Sequence, residues 1–287
     1  MKKYNKFRPR IRSKNFSCDP LRHTHSTLGF YPFRSVIRFG STTPTEKVFP
    51  GRNNVIELNT VDAIRKSSSK LLMKKAFAEA GVPQSEWWTI QPMGEGKGFY
   101  NKNNEFVEID TLPFPILAKK VYGSKGKGMV KLNSKDELNK WLADNNTQGY
   151  YFEAFHNYAR EYRLHVSKHG CFYGLRKMLK SDTPDDQKWF RNDSNCVWMI
   201  EENELFDRPV NWDKIEADCV NALNVIGLDT GAFDVKIQSS TTIDGEVREN
   251  PEYILIEVNS APSMGDITVE RYKSILPKLL VEKYETS

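Results

Sequence analysis

Two apolar strands near the C-terminus are each interrupted by a carboxylate, and this limits what the chain can fold into. They are Gly231-Ala232-Phe233-Asp234-Val235-Lys236 and Ile254-Leu255-Ile256-Glu257-Val258-Asn259. An unpaired charge inside an apolar strand is costly. Either one face of the sheet is wet, or the charges share a partner. Glu257 and Asn259 are two apart and point to the same face. If the strands pair, Asp234 joins them. Three oxygen side chains on one face suit a hard cation such as Mg2+, with phosphate oxygens and waters filling its other positions. An ordinary sheet with one solvated face is the competing reading.

With 287 residues the chain is long enough for two or three subdomains. No stretch approaches the run of about 20 apolar residues that crosses a bilayer. The basic N-terminus lacks a following apolar segment and does not read as a secretory signal. A cytoplasmic protein with no membrane contact is therefore expected. Cys18, Cys171, Cys196 and Cys219 lack zinc-ligand or redox spacing and read as reduced thiols. Net charge is +5, and seven of the first sixteen residues are Lys or Arg. Such a run could touch nucleic acid. No nucleic-acid-binding motif accompanies it, and a solvated tail is the simpler reading. Oligomeric state is not legible.

Residues 1–30 read as polar and irregular. Ser35–Phe39 and Asn54–Leu58 read as short strands. Ser67, Ser68 and Ser69 offer N-caps to a helix running to Ala80, with Leu72, Ala76 and Ala80 on one face and Gly81 ending it. Pro115–Val121 reads as a buried strand entering Gly123-Ser124-Lys125-Gly126-Lys127-Gly128, and Met129–Leu132 as its return. Ser134 caps a further helix. Tyr150–Phe155 is a strand, and Arg163–Val166 pairs with Cys171–Leu175 across Lys168-His169-Gly170. A helix from Trp212 to Ile226 ends at Gly227. Strands Ala232–Ile237 and Tyr253–Val258 flank a long polar loop. The class is α+β, with antiparallel sheets and segregated helices.

The glycine loop can aim backbone N–H groups at an anion, and Lys125, Lys127 and the preceding Lys119 add charge. It lacks the Walker pattern, and an ordinary hairpin turn is the alternative. Taken singly, Glu153-Ala154-Phe155-His156, Arg160-Glu161-Tyr162-Arg163, Arg176-Lys177 and Arg191-Asn192 read as surface ion-pair partners.

Taken in order, these segments resemble the ATP-grasp superfamily from about residue 70 to about residue 268. The resemblance is to the carboxylate–amine ligase type (RimK-like or D-Ala-D-Ala ligase-like). It rests on the Lys-bearing helix before Ala80-Gly81-Val82-Pro83, on Pro115 to Gly128, on Phe152 to Arg163, and on Gly227 to Ser263. It implies two α+β subdomains clasping ATP behind a short N-terminal segment, divided as 1–68, 69–152 and 153–287. It also implies that Lys70 and Lys119 hold the α- and β-phosphates. Gly123, Ser124, Lys125, Gly126 and Gly128 would form the lid. Glu153 would meet the adenine amino group, with the backbone of Ala154, Phe155 and His156 along the ring edge and Glu161 on the ribose. Asp234, Glu257 and Asn259 would hold two Mg2+ ions, with Mn2+ as a substitute. Arg163, Arg176 and Arg191 would lie near the γ-phosphate and an acyl-phosphate. Lys120 stands where many relatives carry proline.

The implied reaction is ATP-dependent amide formation through an acyl-phosphate, adding an amino acid to a small molecule, peptide or protein. An enzyme acting on a nucleic-acid-linked substrate and an inactive ATP-binding module are the alternatives. Arg38, in Arg38-Phe39-Gly40-Ser41-Thr42-Thr43, is read as binding a substrate carboxylate or phosphate, with a structural ion pair as the competing role. Ser41 is placed beside it, and Ser263 at the pocket floor. His23 and His25 read as structural or solvated.

Overall fold

The computed structural model describes residues 10–14, 21, 33–93, 96–123, 126–192 and 194–287. Cys18, His23, His25, Ser124, Lys125 and most of the basic front run lie outside the described residues. Strands β1 (Arg10–Ser13) and β2 (Arg34–Phe39), the short helix α1 (Thr45–Val48) and β3 (Val55–Leu58) come first. The three strands form a parallel sheet in the order β1-β2-β3. β1 falls in the segment read as irregular. Its single buried apolar residue, Ile11, gives little strand signal.

Two helices follow, α2 (Val61–Ser68) and α3 (Lys70–Glu79). Ser69 alone of the three serines caps α3, its hydroxyl accepting from the Leu72 N–H, 3.4 Å. Ser67 lies inside α2 and donates to the Ile64 carbonyl, 3.0 Å. The buried stripe of α3 is Met73, Ala76 and Phe77, with Leu72 45% exposed. The expected stripe of Leu72, Ala76 and Ala80 is thus rotated by about one residue. Phe77 accounts for the rotation. It stacks on Phe233 with centroids 6.1 Å apart, and burying a ring of that size contributes roughly 1.5–3 kcal/mol.

A six-stranded antiparallel sheet comes next. It comprises β4 (Trp87–Met93), β5 (Gly96–Tyr100), β6 (Phe106–Val107), β7 (Ile116–Lys120), β8 (Val130–Leu132) and β9 (Tyr150–Ala154). Helix α4 (Lys135–Asp144) connects β8 to β9. The spatial order is β6-β5-β4-β9-β7-β8. Its core is Trp88, Phe99, Ile116, Leu132, Leu138 and Phe152.

The second antiparallel sheet has the order β12-β11-β10-β13-β14. Its strands are β10 (Arg160–Ser167), β11 (Gly170–Leu179), β12 (Cys196–Ile200), β13 (Thr230–Ile237) and β14 (Tyr253–Asn259). Helix α5 (Trp212–Ile226) packs on it with α2 and α3. Tyr162, Leu164, Phe233, Val235 and Leu255 face these helices, which leaves the alternate residues for the other face. A last helix, α6 (Asp266–Glu285), has no counterpart in the sequence reading. Val269, Tyr272, Leu276, Leu279 and Leu280 lay it against Ile37, Phe39 and Leu58 of the parallel sheet.

Asn59 joins the N-terminal sheet to β13. Its Oδ1 accepts from the Asp229 and Thr230 N–H groups, 2.9 and 3.1 Å, and its Nδ2 donates to the Arg38 carbonyl, 3.1 Å. Its own N–H donates to Asp229, 2.6 Å, from a left-handed backbone (φ 58°) that asparagine tolerates well. Asn59→Ala strands two buried N–H groups and a carbonyl. It should cost about 2–4 kcal/mol, read as a lower midpoint in denaturant unfolding.

Candidate nucleotide and metal site

Period-two alternation on the five-stranded sheet collects charge on the face away from the helices. Cross-strand register places Lys177, Glu161 and Lys236 in one row, and Arg163, Asp234 and Glu257 in the next. The sign alternates in the first row. In the second, two carboxylates lie side by side. Asn259 continues the same face of β14. A register shift between Asp234 and Val235 marks a β-bulge. It lets the consecutive residues Ile256 and Glu257 both line the cleft.

Asp234 is 4% exposed and held by three cationic contacts. Arg163 donates to it bidentately, Nε to Oδ1 at 2.7 Å and NH2 to Oδ2 at 2.9 Å. Lys177 Nζ reaches Oδ2 at 2.8 Å and Glu161 Oε1 at 2.7 Å. Burial alone would raise the Asp234 pKa, but Arg163 and Lys177 hold it well below the usual carboxylate range. Burial acts likewise on Glu257, and Lys70, 2.9 Å away, brings it below its ordinary value. Asn259 Nδ2 donates to Glu257 Oε1 at 3.3 Å.

The six-stranded sheet supplies the opposing wall of a cleft of about 460 Å³. Lys119 Nζ donates to Glu153 Oε1 at 2.7 Å, and Tyr151 OH donates to Oε2 at 3.2 Å. Lys74, from α3, lies 3.2 Å from the same Oε2. Lys70 sits in the first turn of α3 and also donates to the Gly123 carbonyl, 3.2 Å. The glycine loop requires its glycines. At Gly128 (φ 74°) a Cβ would sit 2.9 Å from Lys120 Cε. Gly126 faces Phe190 across the cleft mouth.

The cleft brings together Lys70, Lys119, Gly123, Gly126, Glu153, Ala154, Phe155, His156, Glu161, Arg163, Arg191, Asp234, Glu257, Asn259 and Ser263. Gly128 lies on the loop beside them. Ser124 and Lys125 fall outside the described residues. Arg176 is not brought there. It lies over the Tyr162 ring, 5.7 Å, and 3.8 Å from Asp207, on the helix-facing side. Its place is taken by Lys177, for an identifiable reason. The turn pairs Ser167 with Gly170, and without interruption that register would set Arg176 opposite Glu161. A bulge between His165 and Val166 shifts the pairing by one residue and sets Lys177 there instead.

Arg38 is also corrected. It is fully buried and spends its donors on Glu57 Oε2 (2.8 Å), the Thr43 carbonyl (3.1 and 3.2 Å) and Thr45 Oγ1 (2.5 Å). A buried guanidinium needs that full set, and the residue pins the loop after β2 instead of facing the cleft. Ser41 bonds within the same loop, to Thr43 Oγ1 at 3.1 Å. Gly40 (φ 66°) seats this loop against the cleft rim, where a Cβ would meet Ala261 Cβ at 2.9 Å. Sequence reasoning missed Lys236 and Trp198. Both line the cleft, and Trp198 lies 4.9 Å under the Arg163 guanidinium.

Among the described residues no group of three or more His, Cys, Asp or Glu side chains could hold a metal. The donor set here is two carboxylates and one amide, all oxygen. It fits Mg2+ when phosphate oxygens complete the shell. Glu153 gives the cleft a signature in acid. Burial pushes its pKa up, but Lys119 and Lys74 outweigh burial and bring it from 4.5 down to about 2. Between those values the unfolded chain binds the proton and the folded chain does not, so stability falls as pH drops through that window. Glu153→Gln should flatten this part of the stability–pH curve by about 3 kcal/mol, measured by denaturant unfolding from pH 5 to 2.

No protein-family model matches the sequence, and no curated protein is similar to it. Solved structures do match. D-alanine–D-alanine ligase from Bacillus anthracis complexed with ATP aligns over 88% of this chain and 79% of its own, with a TM-score of 0.56 and 13% identity. A second structure of that ligase aligns over 88% and 80%, at 0.57 and 14%. The ATP-grasp ligase PsnB complexed with a minimal precursor matches 80% of this chain at 17% identity and a TM-score of 0.49, and this chain spans 64% of its length. Two antiparallel α+β units flank the charged cleft, and with the likeness to the two D-alanine–D-alanine ligase structures the chain has the ATP-grasp fold.

Proposed function

We propose that the protein is an ATP-dependent carboxylate–amine ligase that forms an amide bond through an acyl-phosphate. One observation carries this reading. Lys70, Lys119, Asp234, Glu257 and Asn259 line a single cleft between two sheets, with Lys119 on the six-stranded sheet and the carboxylates on the five-stranded one. The PsnB and D-alanine–D-alanine ligase structures name ligases complexed with a precursor, ATP, ADP or Mg. An amino-acid or peptide substrate and a RimK-like or D-Ala-D-Ala ligase-like subtype belong to the same proposal, as does a cytoplasmic setting. Among the described residues no helix is long and apolar enough to cross a membrane.

In this reading Lys70 and Lys119 bind the α- and β-phosphates of ATP, and the loop at Gly123–Gly128 covers them. Glu153 accepts from the adenine amino group, and Glu161 from the ribose. Two Mg2+ ions held by Asp234, Glu257 and Asn259 would neutralise charge on the phosphoryl group in transfer. A substrate carboxylate oxygen attacks the γ-phosphorus, the bond to the β,γ-bridging oxygen breaks, and ADP leaves. Arg163, Lys177 and Arg191 line the cleft, and in this reading they offset the equatorial charge. The amine then attacks the acyl carbon, the C–N bond forms, the amine loses a proton and phosphate departs. Ser263 and Trp198 also line the cleft, and this reading seats the acceptor beside Ser263.

The test is an ADP-release screen over amino acids, amino-acid pairs and small diamines, with mass spectrometry of the product. Glu257→Gln should abolish release while leaving the melting temperature within a few degrees of wild type. Lys119→Ala should weaken ATP binding about 10–100-fold by calorimetry, the loss of one charge-assisted contact. Unchanged ATP affinity in Lys119→Ala would count against the whole assignment.

A further inference from the structure

Lys74 is the most deeply buried cation beside the cleft and does not line it. It follows Lys70 by one helical turn on α3, but where Lys70 pairs with Glu257 of the five-stranded sheet, Lys74 pairs with Glu153 of the six-stranded sheet. Its ammonium lies 3.2 Å from Glu153 Oε2, and Glu153 is its only ion-pair partner among the described residues. Glu153 therefore sits between two lysines, with Lys74 at one oxygen and Lys119, 2.7 Å away, at the other. The carboxylate is 3% exposed and Lys74 is fully buried. A carboxylate that deep cannot be left without a counterion.

The two lysines differ in what they can reach. Lys119 faces the cleft and Lys74 does not. A phosphate oxygen in the cleft competes with Glu153 for Lys119. Were Lys119 the sole counterion of Glu153, giving its charge to a phosphate would strand a buried carboxylate, and nucleotide affinity would fall by that amount. Resting on the reading that this cleft holds ATP, we infer that Lys74 is a positioning residue: it neutralises Glu153 from behind, so that Lys119 can give its charge to the nucleotide. Burial, with Lys119 and Lys70 nearby, lowers the Lys74 pKa, and Glu153 is the one neighbour that opposes this. Tyr151, donating to the same oxygen as Lys74, keeps that side of the carboxylate saturated.

The experiment is a double-mutant cycle on the full chain, reading the Kd of ATP in the presence of Mg2+ by calorimetry. Lys74→Met keeps helix propensity and volume but removes the charge, and should weaken ATP binding at least tenfold. Glu153→Gln keeps an oxygen to accept from adenine and removes the charge that Lys74 offsets. In the Lys74→Met background it should recover most of the lost affinity. Added to Glu153→Gln alone, Lys74→Met should change the Kd less than threefold. That last comparison stands even where Lys74→Met alone does not fold.

A purely structural Lys74 would give a loss that Glu153→Gln fails to recover, and that result overturns the inference. So does a Lys74→Met Kd within twofold of wild type. If wild-type protein binds no ATP, the cleft assignment falls and this inference with it. If wild type binds ATP and Lys119→Ala weakens it while the cycle shows no coupling, only the role of Lys74 falls.

Discussion

A carboxylate in the middle of an apolar sheet must be neutralised, and the arrangement at Asp234 organises the cleft around that need. Arg163 grips it from the neighbouring strand with two parallel hydrogen bonds, and Lys177 adds a third contact from one strand further out. The geometry depends on register. Arg163 is directly opposite Asp234, and Asp234 directly opposite Glu257. A slip of one residue would drive all three into the helix-facing core. The apolar face formed by Tyr162, Leu164, Phe233 and Val235 forbids that slip. Packing on one side of the sheet therefore fixes the electrostatics of the other.

The same cations can serve two purposes. Within the protein they offset Asp234, Glu161 and Glu257. In the proposed reading they also offer charge to a polyphosphate, from partly buried positions where an ion pair is worth more than on the surface. Such a site is cheap to maintain only if its charges nearly balance. Glu257 is matched by Lys70, and Glu153, held by both Lys74 and Lys119, keeps one counterion in the proposed reading when the other turns to a nucleotide.

Much of this was legible in the sequence, because carboxylates interrupt two apolar C-terminal strands that are bounded by clear turn signals. Asp234, Glu257 and Asn259 came from period two alone, and the helix Trp212–Ile226 from its apolar spacing and Gly227. The rest depended on features that no local pattern carries. Arg176 and Lys177 are adjacent, and a bulge of one residue decides which faces the cleft. Arg38 read as a substrate ligand because its carboxylate partner, Glu57, lies on a different strand. Lys74 looked like any polar helix position until the sheet beneath it contributed Glu153. Helix α6 carries apolar spacing at Val269, Tyr272, Leu276, Leu279 and Leu280, but Pro277 inside it reads as a breaker.

How the halves are joined follows from their cores. The six-stranded and five-stranded sheets bury separate clusters that share no residue. What joins them among the described residues includes polar contacts, among them the buried Lys74–Glu153 pair. The joint is the segment after β9, where Phe155 lies 4.3 Å from Lys131 of one sheet and 5.4 Å from Lys236 of the other. Cation–π contacts of this kind are worth about 0.5–2 kcal/mol each, enough to favour an approach of the two walls and too little to lock it. Across the mouth, Gly126 meets Phe190 with no Cβ of its own to intervene. The cation–π contacts that bridge the two sheets are thus weak, while the ion pairs of Lys70, Lys119, Arg163 and Lys177 lie along the cleft walls.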